Sequence, residues 1–190
     1  MEATLYGIPG CPHTLVAQLM LERKVIPYRR IDLLRGAHPF LVRRVLRFPG
    51  DTVPALRLNG TKLQQTRTIS RTLDLVPSGS EQAEQWAEHA MSQIKHDLWW
   101  WAISRRFRRV SQPTSLDAIP DMIDRVDALL AEGVVGRGEP NSADLHAAVL
   151  VRLIWCLREL RGRLGDRPAL ALADRFCRPE RYPGRLAVLL

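Results

Sequence analysis

A chain of 190 residues, 46% hydrophobic and 25% charged, is long enough for one sizeable core or two small domains and too apolar to be disordered. The net charge of +8 comes almost wholly from arginine; its one dense cluster, Arg105, Arg106, Arg108 and Arg109, falls near the end of a predicted helix, where the dipole favours cations, so a nucleic-acid partner is not expected. Three unevenly spaced cysteines, Cys11, Cys156 and Cys177, argue against a disulfide framework and a zinc site.

The opening Met1-Glu2 lacks the basic start and long apolar run of a signal peptide. The most apolar late stretch, 145–157, is broken by Arg152 and is too short to span a bilayer, so the expectation is a cytoplasmic chain with no membrane partner.

Residues 3–7 (Ala-Thr-Leu-Tyr-Gly) predict a strand, stopped by the Pro9-Gly10 turn signal. A helix follows through Leu15 and Leu19, ending at Glu22-Arg23 before Pro27. A second strand covers 28–33, a looser helix spans about 38–46, and Pro49-Gly50 marks the next turn. Apolar runs at 53–58 and 61–64 flank Asn59-Gly60, two residues that tolerate positive φ and so predict a hairpin. A third helix covers 67–75. A parallel βαβ unit needs a crossover helix and the hairpin then supplies an antiparallel edge, so 1–76 predict an α/β thioredoxin-like domain. The stretch 77–80 (Pro-Ser-Gly-Ser) reads as a linker.

Residues 81–190 predict an all-α domain. From 81 to about 109, apolar positions 83, 86, 87, 90, 91, 94, 98, 101 and 102 form one stripe at helical spacing. A second amphipathic segment runs from Ile119 to Leu130, its start left open by Pro120. The glycine-bearing stretch 132–140 predicts a loop. Asn141-Ser-Ala-Asp144 then opens the most apolar helix: Asn141 can accept backbone N–H bonds, and Asp144 can reach back toward the cap. A last helix is expected from about Asp166 to Phe176, with an irregular tail or short helix over 179–190.

The sharpest chemical feature is Gly10-Cys11-Pro12-His13-Thr14 between a strand and a helix. Unpaired N–H groups and the positive dipole end at a helix N-terminus favour thiolate, the nucleophilic form, so Cys11 is expected to be a reactive, accessible thiol and Cys156, on the apolar face of its helix, an inert one. Pro12 suits the first turn, where a missing N–H costs nothing. Position four of the motif is Thr14, so a redox role would run through a mixed disulfide with another thiol. His13 reads as solvent-facing and Tyr6 as core, although a phenol at a strand end could also donate to a bound thiolate.

Two further features follow. Val53-Pro54 at the start of a strand fits a turn or a cis bond; if cis, it leaves the Val53 backbone to pair with an extended, peptide-like ligand. Gln65-Thr66 precedes the third helix, where Thr66 reads as its N-cap and the N–H groups behind it as an anion site.

Taken in order, Leu5-Tyr-Gly-Ile-Pro-Gly-Cys-Pro-His-Thr14, Val53-Pro-Ala-Leu56 and Leu63-Gln-Gln-Thr-Arg-Thr-Ile69 resemble the N-terminal domain of cytosolic glutathione transferases, most of all the cysteine-type classes and glutaredoxins. Asn141-Ser-Ala-Asp144 resembles the capping motif of that superfamily's helical domain. The resemblance implies a thioredoxin-like domain followed by an all-helical one, often as a homodimer. It implies glutathione or a similar low-molecular-weight thiol as co-substrate, with a hydrophobic electrophile or mixed disulfide as its partner and no bound metal. Cys11, followed by Pro12, would face the thiol; Val53 before cis Pro54 would pair with the cysteinyl backbone; Gln65 and Thr66 would hold the γ-glutamyl group. Arg35, Arg43 and Arg44 are alternatives for the glycine carboxylate.

Trp99, Trp100 and Ile103 put an extra apolar surface beside the stripe that contains Trp101, suited to a substrate, a second subunit or interdomain packing. Two functions therefore stand: an enzyme of thiol transfer or conjugation with Cys11 as nucleophile, or a non-catalytic interaction module of the same fold using its basic surface. Cys11, Pro54 and Thr66 favour the enzyme, since a scaffold needs none of them.

Overall fold

The computed structural model describes residues 2–77, 79–106, 115–156 and 161–181, and their side chains except at 97–106, 115–117, 163 and 181. The side chains of Trp99, Trp100, Trp101, Ile103 and the arginine cluster at 105–109 thus lie outside what is described. The chain divides into two compact units, Met1–Val76 and Pro77–Leu190.

The first unit is a thioredoxin-like mixed sheet with helices. Its elements are β1 (Ala3–Gly7), α1 (Pro12–Arg23), β2 (Arg29–Asp32), α2 (His38–Phe40, continued by a π turn over Leu41–Val45), β3 (Ala55–Leu58), β4 (Thr61–Gln64) and α3 (Thr66–Thr72). The strand order is β2-β1-β3-β4, with β1 parallel to β2 and antiparallel to β3. Because β1 is central, both of its faces are covered. Leu5 pairs with Leu56 on one face, and Tyr6 with Ala55 on the other. On the latter face Tyr6 packs with Val42, Phe48 and Ala55, its ring edge-on to Phe48 at 5.8 Å between centroids. Tyr6 is therefore a core residue.

Asn59 and Gly60, at φ 48° and 86°, close the hairpin as their sequence predicts. The expected helix over 38–46 is different in kind: after one α turn it widens, and the Leu46 N–H bonds the Leu41 carbonyl at 2.8 Å. In α-helical register Val45, three residues after the fully buried Val42, would share its face; the wide turn rotates Val45 outward, to 57% exposure.

Helix α1 ends in a Schellman motif. Ile26 N–H reaches the Leu21 carbonyl at 2.9 Å and Val25 N–H the Glu22 carbonyl at 3.0 Å, which requires φ 53° at Val25. A β-branched residue there is strained.

The second unit is all-α: α4 (Glu81–Arg106), α5 (Ser115–Ala131), α6 (Ser142–Trp155), α7 (Arg161–Leu164) and α8 (Pro168–Phe176), followed by a 3-10 turn at Pro179–Arg181. Ala83, Ala87, Ala90, Met91 and Ile94 form the buried stripe of α4, as their spacing requires. Helix α5 begins at Ser115 and carries Pro120 inside it. Residues 142–154 of α6 are all buried, between α4 and α8. The helix starts with a complete capping box, Asn141 accepting from the Asp144 N–H and Asp144 from the Asn141 N–H at 2.8 Å. Burial pushes the Asp144 carboxyl above its ordinary range, while the Asn141 and Gly136 N–H groups pull it back. Helix α8 starts at Pro168 rather than near Asp166, because Arg167 is its cap residue and proline suits the first helical position. Asp127 secures that start, accepting from Ala169 N–H at 2.8 Å and Arg167 Nε at 2.7 Å.

Val25→Gly removes the left-handed strain on a side chain that is 85% exposed. The variant should gain about 1 kcal/mol, less the entropy glycine adds to the unfolded chain, read as a higher denaturation midpoint at unchanged m-value.

Candidate functional site

Strand register decides which sequence features meet. Tyr6, Ala55 and Gln64 lie in one row across β1, β3 and β4. One step beyond that row are the C-terminal end of β1, which leads to Cys11, Pro54 just before β3 and Gln65 just after β4. The Gln65 N–H donates to the Pro54 carbonyl at 3.2 Å, so the second and third features touch directly. The Val53-Pro54 bond is cis.

Cys11 occupies the N-cap of α1 at φ −76° and ψ 118°, with Pro12 as the first helical residue. Its N–H turns back to the Ile8 carbonyl at 3.1 Å, and its carbonyl accepts the Leu15 N–H at 3.1 Å. Its side chain makes no capping hydrogen bond. The expected accessible thiol is corrected by the fold: Cys11 is 4% exposed, because the turn brings it into the helix beside buried Pro12, Thr14 and Leu15. His13 is half-buried rather than solvent-facing.

Thr66 also differs from expectation. The cap position is Gln65, at φ 70° and ψ 144°, close to a backbone region otherwise left to glycine; that non-helical geometry makes Thr66 the first residue of α3 and buries it to 1% exposure. Its role is therefore not that of an N-cap side chain.

Of the three arginine alternatives, Arg43 and Arg44 are exposed on the π turn, whereas Arg35 Nη2 reaches the Pro9 carbonyl in the Cys11 loop at 3.5 Å. Cys156 sits at the C-cap of α6 rather than within its apolar face. It is buried, and burial raises its thiol above the ordinary range against the pull of Arg152 and Arg161. Cys177 is fully buried.

Gln64 has no counterpart among the sequence expectations. Its Oε1 accepts the Gly50 N–H at 2.7 Å and its Nε2 donates to the Thr52 carbonyl at 2.8 Å, so one side chain pins the loop that delivers Val53 and Pro54. The Gln64-Gln65 repeat is the only trace of it in the sequence, and nothing there tells which glutamine turns inward. Gln64→Ala removes both bonds. At about 0.5–1.5 kcal/mol each, the expected loss of stability is about 1–3 kcal/mol, with faster amide exchange confined to residues 50–53. Gln64→Glu keeps the acceptor and loses the donor, and should fall between the two.

Residues 5–81 match the family described as Glutathione S-transferase, N-terminal domain. Among solved structures, the chain is similar to a possible glutathione S-transferase from Rhodopseudomonas palustris (20% identity, TM-score 0.66, covering 99% of this chain and 98% of that one). It is also similar to a glutathione S-transferase from Methylobacillus flagellatus with GSH bound (18% identity, TM-score 0.63, covering 90% and 92%). A third similar structure is Leishmania TDR1, described as a unique trimeric glutathione transferase (19% identity, TM-score 0.67); 95% of this chain is covered, but it spans only 45% of that protein. No curated protein matches the sequence. Residues 5–81 thus match the glutathione S-transferase N-terminal domain family, and the chain has the fold of these solved glutathione transferase structures.

Proposed function

We propose that the protein is a glutathione-using enzyme of thiol transfer or conjugation, with Cys11 as its nucleophile. The observation that carries this reading is the convergence at one sheet end of the Cys11 helix start, the Val53-Pro54 segment and the strained Gln65, the last two joined by the Gln65 N–H to Pro54 carbonyl bond. Strain near a glycine-only region persists where the surroundings over-determine it, and such positions cluster at ligand clamps. The family of residues 5–81 and the GSH bound to the Methylobacillus neighbour support glutathione as the thiol.

In this reading the Val53 backbone pairs with the cysteinyl unit of the tripeptide, Gln65 and Thr66 hold its γ-glutamyl group, Pro12 shapes the pocket beside the sulfur, and Arg35 takes the glycine carboxylate. Seated there, a glutathionyl mixed disulfide presents its sulfur to Cys11. The Cys11 thiolate attacks that sulfur; the new S–S bond forms as the old one breaks, and the departing thiolate takes a proton from solvent. A second glutathione thiolate then attacks the Cys11 adduct, releasing glutathione disulfide and restoring Cys11. Burial of Cys11 reserves this chemistry for a ligand held at the sheet end. A homodimer and a cytoplasmic location complete the proposal by family resemblance; sedimentation velocity tests the first and fractionation the second.

Cys11→Ser should lower transfer from a glutathionylated peptide by at least about a hundredfold while leaving glutathione affinity within a few-fold. Retained turnover would remove Cys11 from the chemistry. Thr66→Ala should weaken glutathione binding about tenfold to a hundredfold, as expected when a hydrogen bond to a charged group is lost. An unchanged affinity by calorimetry would take Thr66 out of the γ-glutamyl contact.

A further inference from the structure

The charge of the chain is unevenly shared. Residues 1–76 carry 12 lysines and arginines against 5 acidic residues, a net +7 of the total +8, whereas 77–190 carry 16 against 15. Strand register then sorts the cations of the first unit. Alternate residues of a strand point to opposite faces, so Arg29, Thr4, Arg57 and Lys62, paired in a row across β2, β1, β3 and β4, share one face of the sheet. It is the face on which Tyr6 and Ala55 lie, two residues closer to the Cys11 end. Arg57 and Lys62 stand directly opposite each other, and Arg29 is two strands from Arg57, about 10 Å. Like charges placed in this way work against the sheet.

The segment packed on the Tyr6 end of the same face extends the row. Lys62 Nζ, over the Phe48 ring, donates to the Arg47 carbonyl at 2.7 Å and so brings Arg47 beside Arg57 and Lys62. Val42 is fully buried against the sheet, and Arg43 and Arg44 are exposed on the outer side, with Phe40 and Val45 at 64% and 57% exposure. Residues 33–50 contain no acidic side chain. Among the described residues, none of the six cations Arg29, Arg43, Arg44, Arg47, Arg57 and Lys62 forms an ion pair. The contrast lies next door: Arg30, whose side chain falls on the other face of β2, is paired with Asp32 at 2.8 Å.

We propose that this face is a docking surface for an anionic membrane, with lipid headgroups meeting the six cations and Phe40 and Val45 entering the apolar layer beneath them. Two signals of different kind are what reversible attachment to a bilayer requires, and both are present on one face. The phosphates of a nucleic acid would meet the cations equally well, but they offer nothing to an exposed phenyl ring and an exposed valine. Attachment of this kind is lateral; no helix among the described residues is long and apolar enough to cross a membrane. The inference stands apart from the reading of Cys11, since no residue of the candidate site takes part in it.

The test is co-sedimentation of the full chain with vesicles of phosphatidylcholine alone and of phosphatidylcholine mixed with an equal part of phosphatidylglycerol. At about 0.1 M salt, screening confines each charge to about 10 Å, which separates the two faces of the sheet. The wild type should sediment with the mixed vesicles, stay in solution with the neutral ones, and be released by high salt. Each neutralised cation on the face should lower partitioning roughly fivefold, so Arg29→Gln loses about that much and Arg43→Gln with Arg44→Gln roughly twenty-five-fold. Phe40→Ser should lose several-fold at unchanged charge. Arg30→Gln, the same charge change one residue along and on the other face, should stay within about twofold of the wild type. The side chains replaced on the docking face are exposed, so these variants should melt as the wild type does. A wild type that ignores the mixed vesicles, or binds both kinds alike, overturns the proposal. So do equal losses in Arg29→Gln and Arg30→Gln, which would mark attraction by net charge without a face. Retention of duplex DNA by a protein that leaves the mixed vesicles unbound overturns it in favour of a nucleic-acid partner.

Discussion

The register of the β1-β3-β4 ladder, closed at its end by the Gln65 N–H on the Pro54 carbonyl, is the constraint on which the candidate site depends. Cys11, Pro54 and Gln65 are far apart in the chain, and none of the loops that carry them could hold the others in place. What aligns them is a row of main-chain hydrogen bonds that ends at the same level on three strands. Such bonds tolerate side-chain change but not displacement along the strand. Gln64 extends the same device, turning a strand-end side chain into a fastening for the loop before Pro54.

Polar groups in the helical unit are used differently. Arg152 is fully buried and bonds the Cys177 carbonyl at 2.7 Å and the Asp174 carboxylate, joining the end of α6 to the end of α8. Glu84, equally buried, accepts from the Ser142 hydroxyl and so joins α4 to the first turn of α6. Buried charges of this kind contribute little net stability, because desolvation offsets much of the attraction. They do penalise any rotation of one helix against another within the unit, since rotation would strand a charge without its partner.

Local signals were legible in the sequence. Asn59-Gly60, the Asn141 to Asp144 box and the α4 stripe are each decided within a few residues, by turn geometry, capping or helical period. Features set by distant partners were not. Whether Cys11 is covered depends on how the Ile8–Cys11 turn folds back; Thr66 loses its expected cap role because Gln65 adopts an unusual backbone; Gln64 is ordinary until Gly50 and Thr52 come beside it. The π turn is a compromise of the same kind, giving up Val45 to solvent while Val42 and Leu46 stay with Tyr6 and Phe48. Glu84 sits inside an apolar stripe whose period gives no hint of a charge, and α7 is too short to show a period at all.

The Asn59-Gly60 tip lies at the opposite end of β3 and β4 from Pro54 and Gln65. Chain growth at that tip lengthens the hairpin away from the candidate site, and the spacing between Pro54 and Gln65 stays as it was. A single residue gained or lost inside either strand has the opposite effect, offsetting Pro54 from Gln65 and exchanging inward for outward side chains at every position past the change. Length variation in this part of the molecule is thus sorted by place: free at the tip, forbidden in the two four-residue strands that measure out the site.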